Sequence, residues 1–185
     1  MAAMLLYHTG YQEIRTPDIR RGRKNADFGQ GFYLTDDAEF ACRWARERKD
    51  SDVILNIYEF DPEGLQICRF EREQAWFEYI FSNRRGKPDL YPQADVIIGP
   101  IANDTIYDTF GIITSGFLSD EQAMRLLMPG PAYRQIVLKT DLAVAHLTWT
   151  GARKLEREEI SGYRAIVAEE EADYQRQLAR EMERF

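Results

Sequence analysis

The chain has 185 residues, 44% hydrophobic content and a net charge of −7. Its length suits one domain with a sizeable core, and its acidic balance argues against broad, nonspecific nucleic-acid binding, which draws affinity from Lys and Arg on phosphates. Cys42, Cys68, His8 and His146 are the whole soft-ligand complement, with no CxxC pair, so a structural zinc site is not expected. No run of about 18 apolar residues occurs. The start MAAMLLYHTG lacks a basic segment followed by a long apolar stretch, so the expectation is a cytoplasmic protein without a membrane span.

MLLYH (4–8) reads as a first strand that ends at His8-Thr9-Gly10. RTPDIRRGRK (15–24) then gathers Arg15, Arg20, Arg21, Arg23 and Lys24, either a solvated loop or one that faces phosphate. DFGQGFYLT (27–35) places Gly29 and Gly31 one residue apart. Glycine loses more backbone entropy on folding than other residues, so the pair implies a positive φ or a close approach by other atoms. It is not a dinucleotide fingerprint, which needs a third glycine at a set spacing after a strand and an acidic residue about 20 positions on. A tight turn accounts for the glycines but not for Tyr33 or His8.

DDAEFACRWARERKD (36–50) predicts a helix with Asp36 as N-cap, Glu39 three residues on, and Ala41, Trp44 and Ala45 on one face. VILNIYEF (53–60) and LQICRF (65–70) read as strands, and Asp61-Pro62-Glu63-Gly64 between them predicts a hairpin. EREQAWFEYIFSNR (71–84) is helical in pattern, with Ala75, Tyr79 and Ile80 at compatible spacings. ADVIIG (94–99), RQIVLK (134–139) and LTWTGARKLE (147–156) read as strands. Residues 102–110 and 119–128 read as short helices, the second opened by Ser119 with Gln122 three on, before a break at Pro129-Gly130-Pro131. From Glu158 the chain becomes a charged helical tail with Ala172, Gln175, Leu178 and Met182 along one side, read first as a solvated helix and second as a partner-binding one. Interspersed short strands and helices favour a mixed α+β domain over a doubly wound parallel sheet.

Read together, YHTG (7–10), a loop of basic residues, and FGQGFYLT (28–35) before a helix rich in small residues resemble the NAD-binding core of ADP-ribosyltransferases. The likeness is to the branch of poly(ADP-ribose) polymerases and diphtheria-type toxins. More narrowly it is to bacterial proteins of that type associated with toxin–antitoxin and phage-defence loci, to which Asn83-Arg84 and DVIIGPIAND (95–104) are also similar. The resemblance implies a split mixed β-sheet core with flanking helices over residues 1–157, with residues 158–185 as a C-terminal helical tail.

It also implies site residues. His8 matches a histidine that hydrogen-bonds the adenosine ribose, and Thr9 and Gly10 match the segment whose backbone meets the nicotinamide carboxamide. Tyr33 matches the tyrosine that stacks on the nicotinamide ring, where an aromatic face favours the pyridinium cation. Trp44 falls where a second aromatic wall stands, with core packing as its other reading. Gly29 and Gly31 let the backbone turn beside the cofactor, and Arg23 and Asp27 are further cofactor-binding candidates. Gln135 stands at the position where the wider family carries a catalytic glutamate. A neutral amide orients a ribose hydroxyl but supplies no negative charge to an oxocarbenium-like transition state, which implies single transfer rather than chain elongation. Asp104 and Glu78 are acids that could assist, and Arg84 could meet a phosphate or pair with Asp104.

The resemblance thus implies a mono-ADP-ribosyltransferase that uses NAD as substrate, modifies RNA, DNA or a protein, and is restrained by a cognate antitoxin. Two other readings stay open: a catalytically silent NAD-binding module, marked by Gln135, and an NAD glycohydrolase.

Overall fold

In the computed structural model the described residues are 3–102, 119, 121–122, 125 and 133–183. In chain order they form β1 (Met4–Gly10), β2 (Phe32–Leu34), α1 (Ala38–Arg43), β3 (Val53–Phe60), β4 (Ile67–Arg69), α2 (Gln74–Arg84), β5 (Val96–Pro100), β6 (Arg134–Leu138), α3 (Asp141–Ala145), β7 (Leu147–Leu155) and α4 (Arg157–Met182). The strands make two sheets, β1-β3-β7 and β2-β6-β5-β4. The first is antiparallel throughout, and the second is mixed, with β4 and β5 parallel. The α+β class expected from the sequence is what forms.

The sheets join where β1 meets the end of β2. The Tyr7 N–H donates to the Thr35 carbonyl at 2.8 Å, and the Thr35 N–H donates to the Tyr7 carbonyl at 3.1 Å. This pairing sets His8 beside Tyr33. The core lies in three apolar clusters, one of which stacks Phe28 against Tyr79 and Phe70.

The expected hairpin between residues 53–60 and 65–70 does not form. Both edges of β3 are already taken, by β1 and by β7, so the turn at 61–64 carries the chain across to the other sheet. There β4 pairs in parallel with β5, Ile67 opposite Val96. Parallel neighbours need a crossover, and α2 provides it.

Helix α1 is shorter than expected, six residues rather than the 36–50 span. Its N-cap is Asp37, whose carboxylate accepts from the Phe40 N–H at 3.0 Å; Asp36 is paired with Arg134 instead. The helix stops because the Arg46 guanidinium donates to the carbonyls of Arg43 and Ala45 at 3.0 Å each, meeting acceptors that another turn would have used.

In α2 the buried residues include Trp76, Phe77, Tyr79 and Ile80, while Ala75 is exposed. The pair expected at Ser119 and Gln122 is present as reciprocal bonds. The Ser119 N–H donates to Gln122 Oε1 at 2.9 Å, and the Gln122 N–H donates to Ser119 Oγ at 3.2 Å, as in a capping box. The helix expected at 102–110, the break at Pro129-Gly130-Pro131 and Asp104 lie outside the described residues, apart from Ala102.

The C-terminal segment is not a solvated helix. Helix α4 buries Ile160, Tyr174 and Leu178, with Tyr163, Val167 and Glu170 half-buried between them, a stripe at helical spacing. Of the four residues expected along one side, Leu178 is buried, while Ala172, Gln175 and Met182 are exposed. Tyr174 and Leu178 join the same cluster as Phe28 and Trp76. Among the described residues no helix is long and apolar enough to cross a membrane.

Candidate functional site

The glycine pair forms a loop closed by the tyrosine that follows it. Tyr33 donates its hydroxyl to the Gly29 carbonyl at 2.7 Å and accepts the Phe28 N–H at 3.0 Å. Gly29 has φ +72°, and a Cβ there would stand 2.9 Å from Lys139 Nζ. Gly31 is needed for closeness rather than for its torsion: a Cβ would lie 2.6 Å from the Leu138 carbonyl oxygen and 2.7 Å from Val137 Cγ1. The pair therefore seats the loop against β6. Burial, and then the Asp27 carboxylate, hold the Tyr33 phenol well above the ordinary tyrosine range. It acts as a neutral alcohol at physiological pH.

A cavity of about 440 Å³ opens beside this loop, a size within the roughly 300–1,000 Å³ of small-molecule sites. Tyr33 comes to it from β2, Trp44 and Phe40 from α1, Tyr133 and Gln135 from the approach to β6 and its start, and Glu170 from α4. Phe40 links the aromatic residues, stacked on Tyr133 at 4.1 Å and meeting Trp44 edge-on at 4.8 Å. Gln135 is 8% exposed and its amide hydrogen-bonds to no described residue. Arg23, Arg43 and Arg46 add positive charge to the lining.

Asp27 also lines the cavity, but its carboxylate is spent on the scaffold. One oxygen accepts from Arg84 Nε at 2.8 Å and from a terminal guanidinium nitrogen at 2.6 Å, and the other accepts from the Ala102 N–H at 3.2 Å. Arg84 thus meets Asp27, not a phosphate or Asp104. Asn83 donates to the Asp27 carbonyl at 3.0 Å, so the Asn-Arg pair on α2 grips the chain just before the glycine loop.

Five of the expected site residues, Arg23, Asp27, Tyr33, Trp44 and Gln135, line this one cavity. His8, Thr9, Gly10, Gly29 and Gly31 do not. His8 packs on Phe32 with ring centres 4.5 Å apart, and its Nδ1 bonds the Tyr33 carbonyl at 2.8 Å. Because a carbonyl only accepts, Nδ1 carries the proton. Desolvation lowers the His8 pKa, with that hydrogen bond opposing in part. Thr9 Oγ1 donates to the Ala41 carbonyl at 2.6 Å, tying β1 to α1.

The basic strip is divided. Arg15 pairs with Glu13 and lies over Trp149, and Arg20 pairs with Asp18 and Asp141. Of its five cations, Arg23 alone reaches the cavity. Glu78 is exposed and bonded to Gln74 at 2.8 Å, outside the cavity. Sequence reading missed Phe40, Arg43, Arg46, Tyr133, Glu170 and Glu171. The signal available for Glu170 was its place on the Ile160, Tyr163, Val167, Tyr174 stripe.

The fold and site define an α+β protein with an aromatic and polar cavity beside its glycine loop. Residues 4–149 match the family described as Protein of unknown function (DUF3990), and the chain belongs to that family. The matched span ends within β7, short of α4. No curated protein and no solved structure matches the chain.

Proposed function

We propose that the protein is an NAD-dependent mono-ADP-ribosyltransferase with an ADP-ribosyltransferase-like split sheet. The observation that carries this reading is the convergence of Tyr33, Trp44 and Gln135, from three separate elements, on one cavity of about 440 Å³. The placement of His8 on β1, Tyr33 on β2 and Gln135 on β6, with His8 bonded to the Tyr33 carbonyl, supports it further.

In this reading the Tyr33 ring face receives the nicotinamide cation, and the Gln135 amide orients a ribose hydroxyl. His8 acts from behind the cavity wall by fixing the backbone of Tyr33. The bond between ribose C1′ and the nicotinamide nitrogen breaks, and its electron pair leaves with neutral nicotinamide. An oxygen or nitrogen of the macromolecular acceptor then bonds C1′ and loses its proton to water. Charge and positioning supply the rate in so dissociative a reaction. The sequence resemblance extends the proposal to a toxin or defence effector acting in the cytoplasm and restrained by a cognate antitoxin.

Titration of the purified protein with NAD, followed by assay of nicotinamide release, tests the proposal. Wild type should bind NAD and release nicotinamide, and Tyr33→Ala should lose both while remaining folded. Binding without release would instead mark a silent NAD-binding module, and release without modification of any macromolecule would mark a glycohydrolase.

A further inference from the structure

Gln135 leaves the proposed site without a charge at the position where positive charge would develop. Among the described residues three carboxylates also line the cavity: Asp27, Glu170 and Glu171. Asp27 is committed to Arg84 and the Ala102 N–H through both oxygens. Glu171 is exposed, and no described residue fixes it.

Glu170 differs from both. Its Oε1 accepts from the Tyr133 hydroxyl at 2.7 Å and from the Arg43 guanidinium, which locks the carboxylate in place. Its Oε2 hydrogen-bonds to no described residue. Tyr133 and Gln135 are two residues apart on extended chain, so they share a face, and both line the cavity. Glu170 is therefore tethered to a residue on the strand face that carries Gln135. Arg43 also pairs with Glu39 at 2.8 Å, so two carboxylates share this one guanidinium.

We propose that Glu170, delivered by α4, is the carboxylate of this site and supplies the negative charge that Gln135 lacks; this rests on the ADP-ribosyltransferase reading. Its charge opposes the positive charge at C1′ as the bond to nicotinamide breaks, while the electron pair leaves with the ring. Helix α4 lies beyond the residues matched to the family, so this carboxylate comes from a segment outside the shared one.

The test measures nicotinamide release and NAD affinity for the full chain and for Glu170→Gln, Glu171→Gln, Gln135→Glu and the Glu170→Gln/Gln135→Glu double variant. Glu170→Gln should slow release by about 100-fold, the scale of losing one electrostatic contact to a transition state, with NAD affinity changed by less than about threefold. Glu171→Gln should stay within about threefold of wild type, and the double variant should regain at least about tenfold over Glu170→Gln. A merely structural Glu170 would not be rescued by a charge placed on β6.

Release by Glu170→Gln near the wild-type rate, loss in Glu171→Gln instead, or no rescue in the double variant would overturn the proposal. Should Glu170→Gln not fold, Glu170→Asp decides: a carboxylate drawn back by one methylene should slow release by about tenfold with NAD affinity within about threefold, and release at the wild-type rate overturns the proposal. A folded wild type that neither binds NAD nor releases nicotinamide overturns the functional reading itself. That result is distinct from an active wild type indifferent to Glu170.

Discussion

The ring and the hydroxyl of Tyr33 serve different ends, and two substitutions separate them. Tyr33→Phe keeps the ring but removes the acceptor of the Phe28 N–H and the donor to Gly29. Losing such a partner at a buried amide costs about 1–3 kcal/mol, so the variant should melt several degrees lower by calorimetry. Its NAD affinity should stay within about threefold, whereas Tyr33→Ala should lose about tenfold or more, the order of a cation–π contact. Equal losses of affinity in the two variants would contradict a stacking role. His8 carries a pH signature. Desolvation puts its folded pKa below the unfolded 6.5, so the unfolded chain takes up the proton first as pH falls. The His8 contribution is intact above 6.5 and is lost as pH falls from there towards the folded pKa. Urea unfolding between pH 7.5 and about 5 should show this loss, and His8→Gln should flatten that limb. A limb of unchanged slope would show that His8 is not its source.

At the scale of elements, α4 separates the covered stripe from the one that composition suggests. Leu178→Ala should cost about 2–5 kcal/mol and Met182→Ala about 0.5 kcal/mol or less, read by urea unfolding. Similar losses at both positions would show that the stripe is misassigned. Strand positions were largely legible, because the apolar runs at 53–60, 94–99 and 134–139 mark β3, β5 and β6 closely. Their partners were not, since nothing in Asp61-Pro62-Glu63-Gly64 says that both edges of β3 are occupied. The charged run after Arg43 has helical composition, yet Arg46 turns back onto the carbonyls it would have extended. In α4 the frequent Glu and Arg suggest solvation. The stripe through Tyr163, Val167, Tyr174 and Leu178 was present, but Ala172 and Met182 offered a competing one. This is why Glu170 escaped notice while Tyr33 and Gln135, set by local motifs, did not.

At the scale of the whole molecule, the cavity joins distant parts of the chain. Tyr33 and Asp27 come from the glycine loop, Trp44 from the end of α1, Gln135 from β6 and Glu170 from the last helix. The net charge of −7 disfavours long nucleic-acid tracts as acceptors, while Arg23, Arg43 and Arg46 concentrate positive charge at the cavity. Folding two sheets about the bridge at Tyr7 and Thr35 brings the histidine and tyrosine strands together. The central claim is that this cavity passes ADP-ribose from NAD to a macromolecule. The most direct measurement incubates wild type and Tyr33→Ala with NAD labelled on the adenylate phosphate and a bacterial lysate, followed by protease or nuclease digestion. The account predicts label in macromolecules with wild type, absent with Tyr33→Ala and removed by only one of the two digestions, which names the acceptor class. Folded wild-type protein that leaves all macromolecules unlabelled would contradict it.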